Sequence, residues 1–290
     1  MAAPRSRRHR TTLTEIWEAT GVKLLRAALV ATLLAGPALP AARAECTGAC
    51  DAQQRVAAAD AYLATRPGTV GYVLRDRKTG AVYRNSHAGD MVWTASTIKL
   101  GMVVDLFARQ SAGLLRLTDN DIALMGKMLH TSDNDAADTL WTRYGGPDHT
   151  IFNNDFPHFG MTRVQPQRGF GDMFPYWGFQ KSTTDDLDQM VNYMLTRLRP
   201  NETAWIVSAM QNVDPIQQWG VWGAGPNMAP GNKDGWSDEQ GGWVTNTVGF
   251  AGPGQRFTLA VMNALNGAGG NADGQATTTR LSQILLANRQ

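Results

Sequence analysis

Apolar residues recur along this chain with two periods. Leu100, Val103, Val104 and Phe107 fall at helical spacing and predict a buried amphipathic helix that opens at Trp93-Thr94-Ala95-Ser96-Thr97-Ile98-Lys99. Asp51–Ala64, with Val56, Ala59, Tyr62 and Leu63 along one side, predicts an earlier helix. Further helices are expected over Asp119–His130, Asp135–Tyr144 (stopped by Gly145-Gly146-Pro147), Thr184–Leu198, Glu202–Gln211 and Thr277–Asn288. Strand-like alternation marks Thr69–Leu74 and Ala81–Tyr83, joined by the turn Arg75–Gly80, and later Trp243–Phe250 and Arg256–Met262. Residues 155–183 mix Pro, Gly and aromatic side chains without a period and read as one long loop, a feature that is usually functional. Strands at both ends and helices between them give an α+β fold in two lobes. Residues 45–92 and 212–290 supply a sheet lobe, and residues 93–211 a helical lobe.

The first 44 residues stand apart. Arg5, Arg7, Arg8 and Arg10 form a basic stretch, Ala27–Leu39 an apolar run too short to span a bilayer, and Ala42-Arg43-Ala44 an A-x-A cleavage site. This is an export signal, by the general or the twin-arginine route, and the mature chain is expected to begin near Glu45. Residues 1–44 hold seven of the 27 basic and two of the 25 acidic side chains, leaving 20 against 23, a net charge of −3. Nucleic-acid binding then loses its compositional support. Cys46 and Cys50, the two cysteines, are expected to form a small-loop disulfide in an oxidising compartment. No lipobox-like Leu-x-Gly/Ala precedes Cys46, so no stable membrane anchor is expected.

Within the predicted helix, Ser96 and Lys99 are three residues apart and share a face. A serine at a helix start also lies among unpaired backbone N–H groups, which suit a developing oxyanion. Alone, Ser-x-x-Lys is commonplace, and a capped helix with a solvated lysine would explain it. Two later segments change that reading. Ser132-Asp133-Asn134 follows an apolar-periodic helix, and Lys233-Asp234-Gly235 precedes a strand-like run. Ser-x-x-Lys, Ser-Asp-Asn and Lys-Thr-Gly, in that order, are the motifs of class A β-lactamases and penicillin-binding proteins. From residue 45 to its end the chain resembles that superfamily, with Asp234 altering the third motif.

The resemblance implies a β-lactamase/transpeptidase-like fold: an antiparallel sheet flanked by terminal helices, a helical lobe, and an active site between them. It implies Ser96 as nucleophile, Lys99 as base with its ammonium form disfavoured by burial and by Lys233, and Ser132 as proton relay. The backbone N–H groups of Ser96 and Trp236 would form the oxyanion hole, with Asn134, Asp234 and Gly235 facing the substrate. Asp133 is expected to tie its loop to backbone N–H groups. The substrate would be a small β-lactam or a peptidoglycan-derived amide, handled by an exported bacterial monomer in the extracellular or cell-wall space. No cofactor and no metal are implied.

Three departures modify this expectation. Ser96 and Ser132 are only 36 residues apart, so Gln110–Thr118 is cut to a brief connection and the cleft should be more open. The loop after Ser-Asp-Asn holds no glutamate; Glu15, Glu18, Glu45, Glu202 and Glu239 are the five in the chain. The residue at the slot falls near Arg168, and Asp155 and Asp172 are the loop's carboxylates, so deacylation should be slow. Asp234 either repels a substrate carboxylate or pairs with Lys233. A rival reading keeps the fold without catalysis, as a cell-wall glycan-binding module. Trp177, Trp219, Trp222, Trp236 and Trp243 would then stack on sugar rings, where ordinary packing is the alternative. His87, His130, His149 and His158 have no ligand or triad spacing. No His-Glu-x-x-His, phosphate-loop, dinucleotide or Gly-x-Ser-x-Gly pattern occurs.

Overall fold

The computed structural model describes residues 48–169 and 171–289. The leader and Cys46 lie outside the described residues; Cys50 is disulfide-bonded. Helix α1 (Ala49–Leu63) leads into the hairpin β1 (Thr69–Asp76) and β2 (Val82–Arg84), with Leu74 opposite Tyr83. β1 runs beyond the expected Leu74 because two charged residues are satisfied at its end. Arg75 pairs with Asp188, and Asp76 accepts from Arg256 at 2.8 Å. Together with β6 (Gly231–Glu239), β7 (Gly242–Ala251) and β8 (Phe257–Ala264), the hairpin makes an antiparallel sheet in the order β2-β1-β8-β7-β6. The third motif therefore lies inside a strand rather than before one.

Period-two alternation sends neighbouring side chains of each strand to opposite faces. Val70, Tyr72 and Leu74 of β1 and Phe257, Leu259 and Val261 of β8 pack beneath α1 and α8 (Asn271–Leu286), against Leu281, Leu285 and Leu286. Ala260 and Met262 of β8, with Val244, Val248 and Phe250 of β7, face the helical lobe. α8 begins six residues before the expected Thr277: Asp273 closes its first turn by accepting from Gly270 N–H at 3.0 Å.

The helical lobe contains α2 (Ile98–Ser111), α3 (Asp119–His130), α4 (Asn134–Tyr144), α5 (Ile151–Asp155), α6 (Thr184–Thr196) and α7 (Pro200–Gln211). Ala112 to Thr118 connects α2 to α3 directly, the brief link that the sequence indicates. Thr118 caps α3 and Thr183 caps α6 through their hydroxyls. The long segment expected as a loop carries some order. Gln165–Pro166 (β4) and Gln180–Ser182 (β5) join Val92–Trp93 (β3) in a small sheet of order β3-β5-β4. Strands of two or three residues leave too little alternation to read in a sequence.

Trp141 of α4 ties that loop to the lobe. It is fully buried, stacks on Phe152 at 4.8 Å and donates from Nε1 to Pro175 O at 3.0 Å. Trp141→Ala should therefore cost about 3–5 kcal/mol, the usual loss for a buried large aromatic. Urea unfolding checks this; a cost below about 1 kcal/mol would show that the loop does not depend on it.

Candidate active site

The chain enters the site from β3. Asn246 of β7 donates its amide to Trp93 O (2.7 Å) and Thr94 O (3.2 Å), and Thr94 donates N–H and Oγ1 to Gln180 O (2.9 and 3.1 Å). These anchors hold a 3-10 turn, Ala95–Thr97, that runs straight into α2. Ala95 sits at φ 44°, a left-handed conformation that costs a non-glycine residue about 1–3 kcal/mol. Ser96 follows, half-buried, where the first N–H groups of a helix lack intrahelical partners.

β6 presses against this turn. A Cβ on Gly235 would lie 2.7 Å from Thr97 N, 2.8 Å from Ser96 N and 2.9 Å from Thr94 O. Only glycine lets the strand come so close, and this brings the backbone after Gly235, at Trp236, beside the Ser96 turn. Trp236 lies opposite Thr245 on the outermost strand of the sheet.

In the first turn of α2, Lys99 is buried with 0% exposure. Its Nζ donates to Ser132 O (2.6 Å) and Asn134 Oδ1 (2.6 Å), and reaches Ser132 Oγ at 3.4 Å. Ser132 is held at φ 62°, a second strained non-glycine residue. The adjoining Asp133 accepts from Ala136 N–H at 2.7 Å and caps α4, as expected of it. Lys233 approaches Ser132 from the sheet side, also with 0% exposure. Its Nζ donates to Ser132 Oγ (2.9 Å), Gln217 Oε1 (2.6 Å) and Asp234 O (2.6 Å). Burial pulls Lys99 down to about 7, against the opposing pull of Asp133 and Asp138. Burial and the neighbouring Lys99 hold Lys233 well below the ordinary lysine range.

Asp234 is placed differently from either expectation. Lys233 bonds its carbonyl rather than its carboxylate, and the strand pleat turns the carboxylate to the opposite face, beside its cross-strand partner Thr247. It has 0% exposure, so it contacts no surface of the cleft directly in this structure. Neither oxygen receives a well-aligned hydrogen bond, although Thr247, Asn232 and the Trp219 N–H face it in looser geometry. Burial drives this carboxyl well above the usual carboxylate range.

The motifs did not reveal Gln217. It is fully buried and bridges both halves of the site, donating from Nε2 to Leu129 O (2.7 Å) and His130 O (2.8 Å) while accepting from Lys233. Asn232 fixes its segment by donating to Gln217 O at 2.8 Å. No motif or period marks it, since it lies in a short 3-10 turn. The loop carboxylates stay away from Lys99: Asp155 lies 3.8 Å from Arg109, and Asp172 is exposed. Trp177 and Trp219 are buried, leaving Trp222, Trp236 and Trp243 half-exposed. His130 bonds Asn212 O and His87 pairs with Asp90. Among the described residues no cluster of three or more His, Cys, Asp or Glu could hold a metal ion.

Solved structures share this arrangement of elements. A β-lactamase from Xanthomonas campestris pv. campestris superposes with a TM-score of 0.67 over 81% of this chain and 97% of that one, at 18% identity. An ancestral class A β-lactamase gives 0.64 over 81% and 98%, at 16% identity. The fold is that of the class A β-lactamases. By sequence, the chain is 24% identical over 244 residues to a Mycobacterium tuberculosis protein named "Putative lipoprotein LppW", covering 81% of this chain and 74% of that protein. No family model matches the chain. Within the β-lactamase-like fold, hydrogen bonds join Lys99, Ser132, Asn134 and Lys233, and Gly235 packs against the Ser96 turn, whereas no hydrogen bond links the Ser96 hydroxyl to that group among the described residues.

Two substitutions probe this arrangement. Gly235→Ala should force β6 off the Ser96 turn and cost about 1–3 kcal/mol, as overpacking does; an unchanged melting temperature would mean that the close approach is relaxed in solution. Gln217→Leu strips Lys233 of an acceptor and leaves Leu129 O without its donor, while His130 O keeps the Asp214 N–H, for a loss of about 1–3 kcal/mol. Chemical denaturation measures it, and no loss would remove Gln217 from the framework of the site.

Proposed function

We propose that the chain is an exported active-site serine hydrolase or acyltransferase that opens an amide through a Ser96 acyl-enzyme. The observation that carries the reading is the meeting of two buried amines, Lys99 and Lys233, on the single hydroxyl of Ser132, with Lys99 one helical turn after Ser96. Neutral Lys99 takes the Ser96 proton as Oγ attacks the carbonyl carbon. The N–H groups of Ser96 and Trp236 hold the oxyanion. The C–N bond then breaks, and the leaving nitrogen collects a proton through Ser132 from the ammonium of Lys99. Asn134, with donor and acceptor on one amide, receives the substrate's own amide.

A β-lactam or a peptidoglycan-peptide-like amide is the substrate class this site favours. Deacylation is slow, because the loop offers Lys99 no glutamate as a base for water. Export rests on the leader and on Cys50, whose oxidised state suits a compartment outside the cytosol. The name of the mycobacterial relative, a lipoprotein, points the same way. No described helix is long and apolar enough to cross a membrane. If Ser96 is inert, the half-exposed Trp236, edge-on to Trp219 at 6.0 Å, favours the glycan-binding alternative.

A fluorophosphonate and a boronic acid test the nucleophile, since both need only an activated serine and an oxyanion site. Intact-mass spectrometry should show one adduct, mapped to Ser96 and lost in Ser96→Ala; no adduct in folded protein would sink the serine-hydrolase reading. Lys99→Ala should slow labelling by ~10²–10⁴-fold, the usual worth of a general base. The amine acts only when neutral, and its folded value is about 7, so labelling should rise with pH and level off above that point. A rate independent of pH between 5 and 9 would exclude Lys99 as the base.

A further inference from the structure

Lys99 touches more than oxygen. Its Nζ lies over the ring of Trp177, 4.4 Å from the centroid. Trp177 is 5% exposed, and its placement is built in detail. Nε1 donates to Asp138 Oδ1 at 2.7 Å, and the same oxygen accepts from Tyr176 OH at 2.7 Å. Gln180 donates to Tyr176 O, and Trp141 holds Pro175 O on the other side. Asp138 stands one helical turn after Asn134, so α4 grips Lys99 twice: directly through Asn134 and indirectly through the indole.

An aromatic face attracts a cation, most strongly for indole and where water is excluded. A carboxylate that accepts the indole N–H pushes electron density into the ring and strengthens that attraction. The other charges around Lys99 are Asp133 and Asp138 on α4 and Lys233 on β6, and the phenol of Tyr176 stays neutral because burial and Asp138 hold it well above its ordinary range. Burial and Lys233 oppose the ammonium, whereas the two aspartates favour it. The ring adds to the favourable side without supplying a formal charge that would fix the proton.

We propose that Trp177, oriented by Asp138, is a positioning residue that sets the protonation balance of Lys99 through its ring face and so sets the pH range in which Ser96 is activated. This deepens the serine-hydrolase reading, and its pH range rests on that reading; the ring's effect on Lys99 does not. An apolar residue of similar bulk would keep the site dry yet remove the attraction. Lys99 would then give up its proton at lower pH.

Nuclear magnetic resonance on the full chain, with ¹³Cε-labelled lysine, follows Lys99 directly; Lys99→Met assigns its signal. Trp177→Leu and Trp177→Met, paired so that one can replace the other if it fails to fold, should lower the titration midpoint by about 0.5–1.5 pH units. Trp177→Phe, which keeps a ring, should lower it less. The pH profile of fluorophosphonate labelling at Ser96 should move with the midpoint. An unchanged midpoint in the folded Leu or Met variant overturns the proposal. So does a rise toward ordinary lysine, which would make the indole a mere plug against water. A lowered midpoint with Ser96 unlabelled in the native protein leaves the effect on Lys99 standing and removes the hydrolase reading instead.

Discussion

Two amines buried around one hydroxyl set the terms for the rest of this molecule. Lys99 and Lys233 both reach Ser132 Oγ, at 3.4 and 2.9 Å, and both have no solvent exposure. Two full charges ~6 Å apart repel by about 3 kcal/mol at an effective dielectric near 20. The atoms that receive their hydrogen bonds are neutral: Ser132 O, Asn134 Oδ1, Gln217 Oε1 and Asp234 O. A carboxylate in direct contact would pin a proton on each amine. Neutral dipoles satisfy the N–H groups without fixing a charge on either amine.

Holding such a site open costs local strain, and the strain is distributed. Ala95 and Ser132 both have positive φ, one in the turn before Lys99 and the other in a segment whose carbonyl Lys99 bonds. The asparagine of β7, the carbonyl of Gln180 and the cap supplied by Asp133 fix the segments that carry them. The two faces of β6 divide the work. Lys233 and Gly235 meet the helical lobe, whereas Asp234 turns toward Thr247 and the Trp219 segment on the far face.

Much of this was legible in the sequence, for identifiable reasons. Long helices with a clear apolar period, the β1–β2 hairpin and the three motifs all leave local signals, so their places along the chain follow from the residues. The place of Asp234 is not legible in the sequence, because Gly231-Asn232-Lys233-Asp234-Gly235 lacks the apolar alternation that announces a strand. Once the strand is known, its pleat alone separates the two side chains. Gln217 acts through contacts that span 16 residues to Lys233 and 88 to Leu129, and nothing at either end marks the pairing. Trp177 was visible as a tryptophan. Its seat on Lys99 depends on Asp138, whose only signal is its spacing of four from Asn134.

The sheet carries a consequence in time. β1 pairs along its whole length with β8, Thr69 opposite Ala264 and Asp76 opposite Phe257, and α1 packs on α8 near the end of the chain. Contacts of such long range are slow to form. A chain made from its N-terminus therefore lays down Ser96 and Lys99 early, in a helix with no floor beneath it. The strands that desolvate Lys99 and crowd the Ser96 turn arrive more than a hundred residues later. The surroundings of Lys99 and of the Ser96 turn are therefore complete only once these late strands have paired.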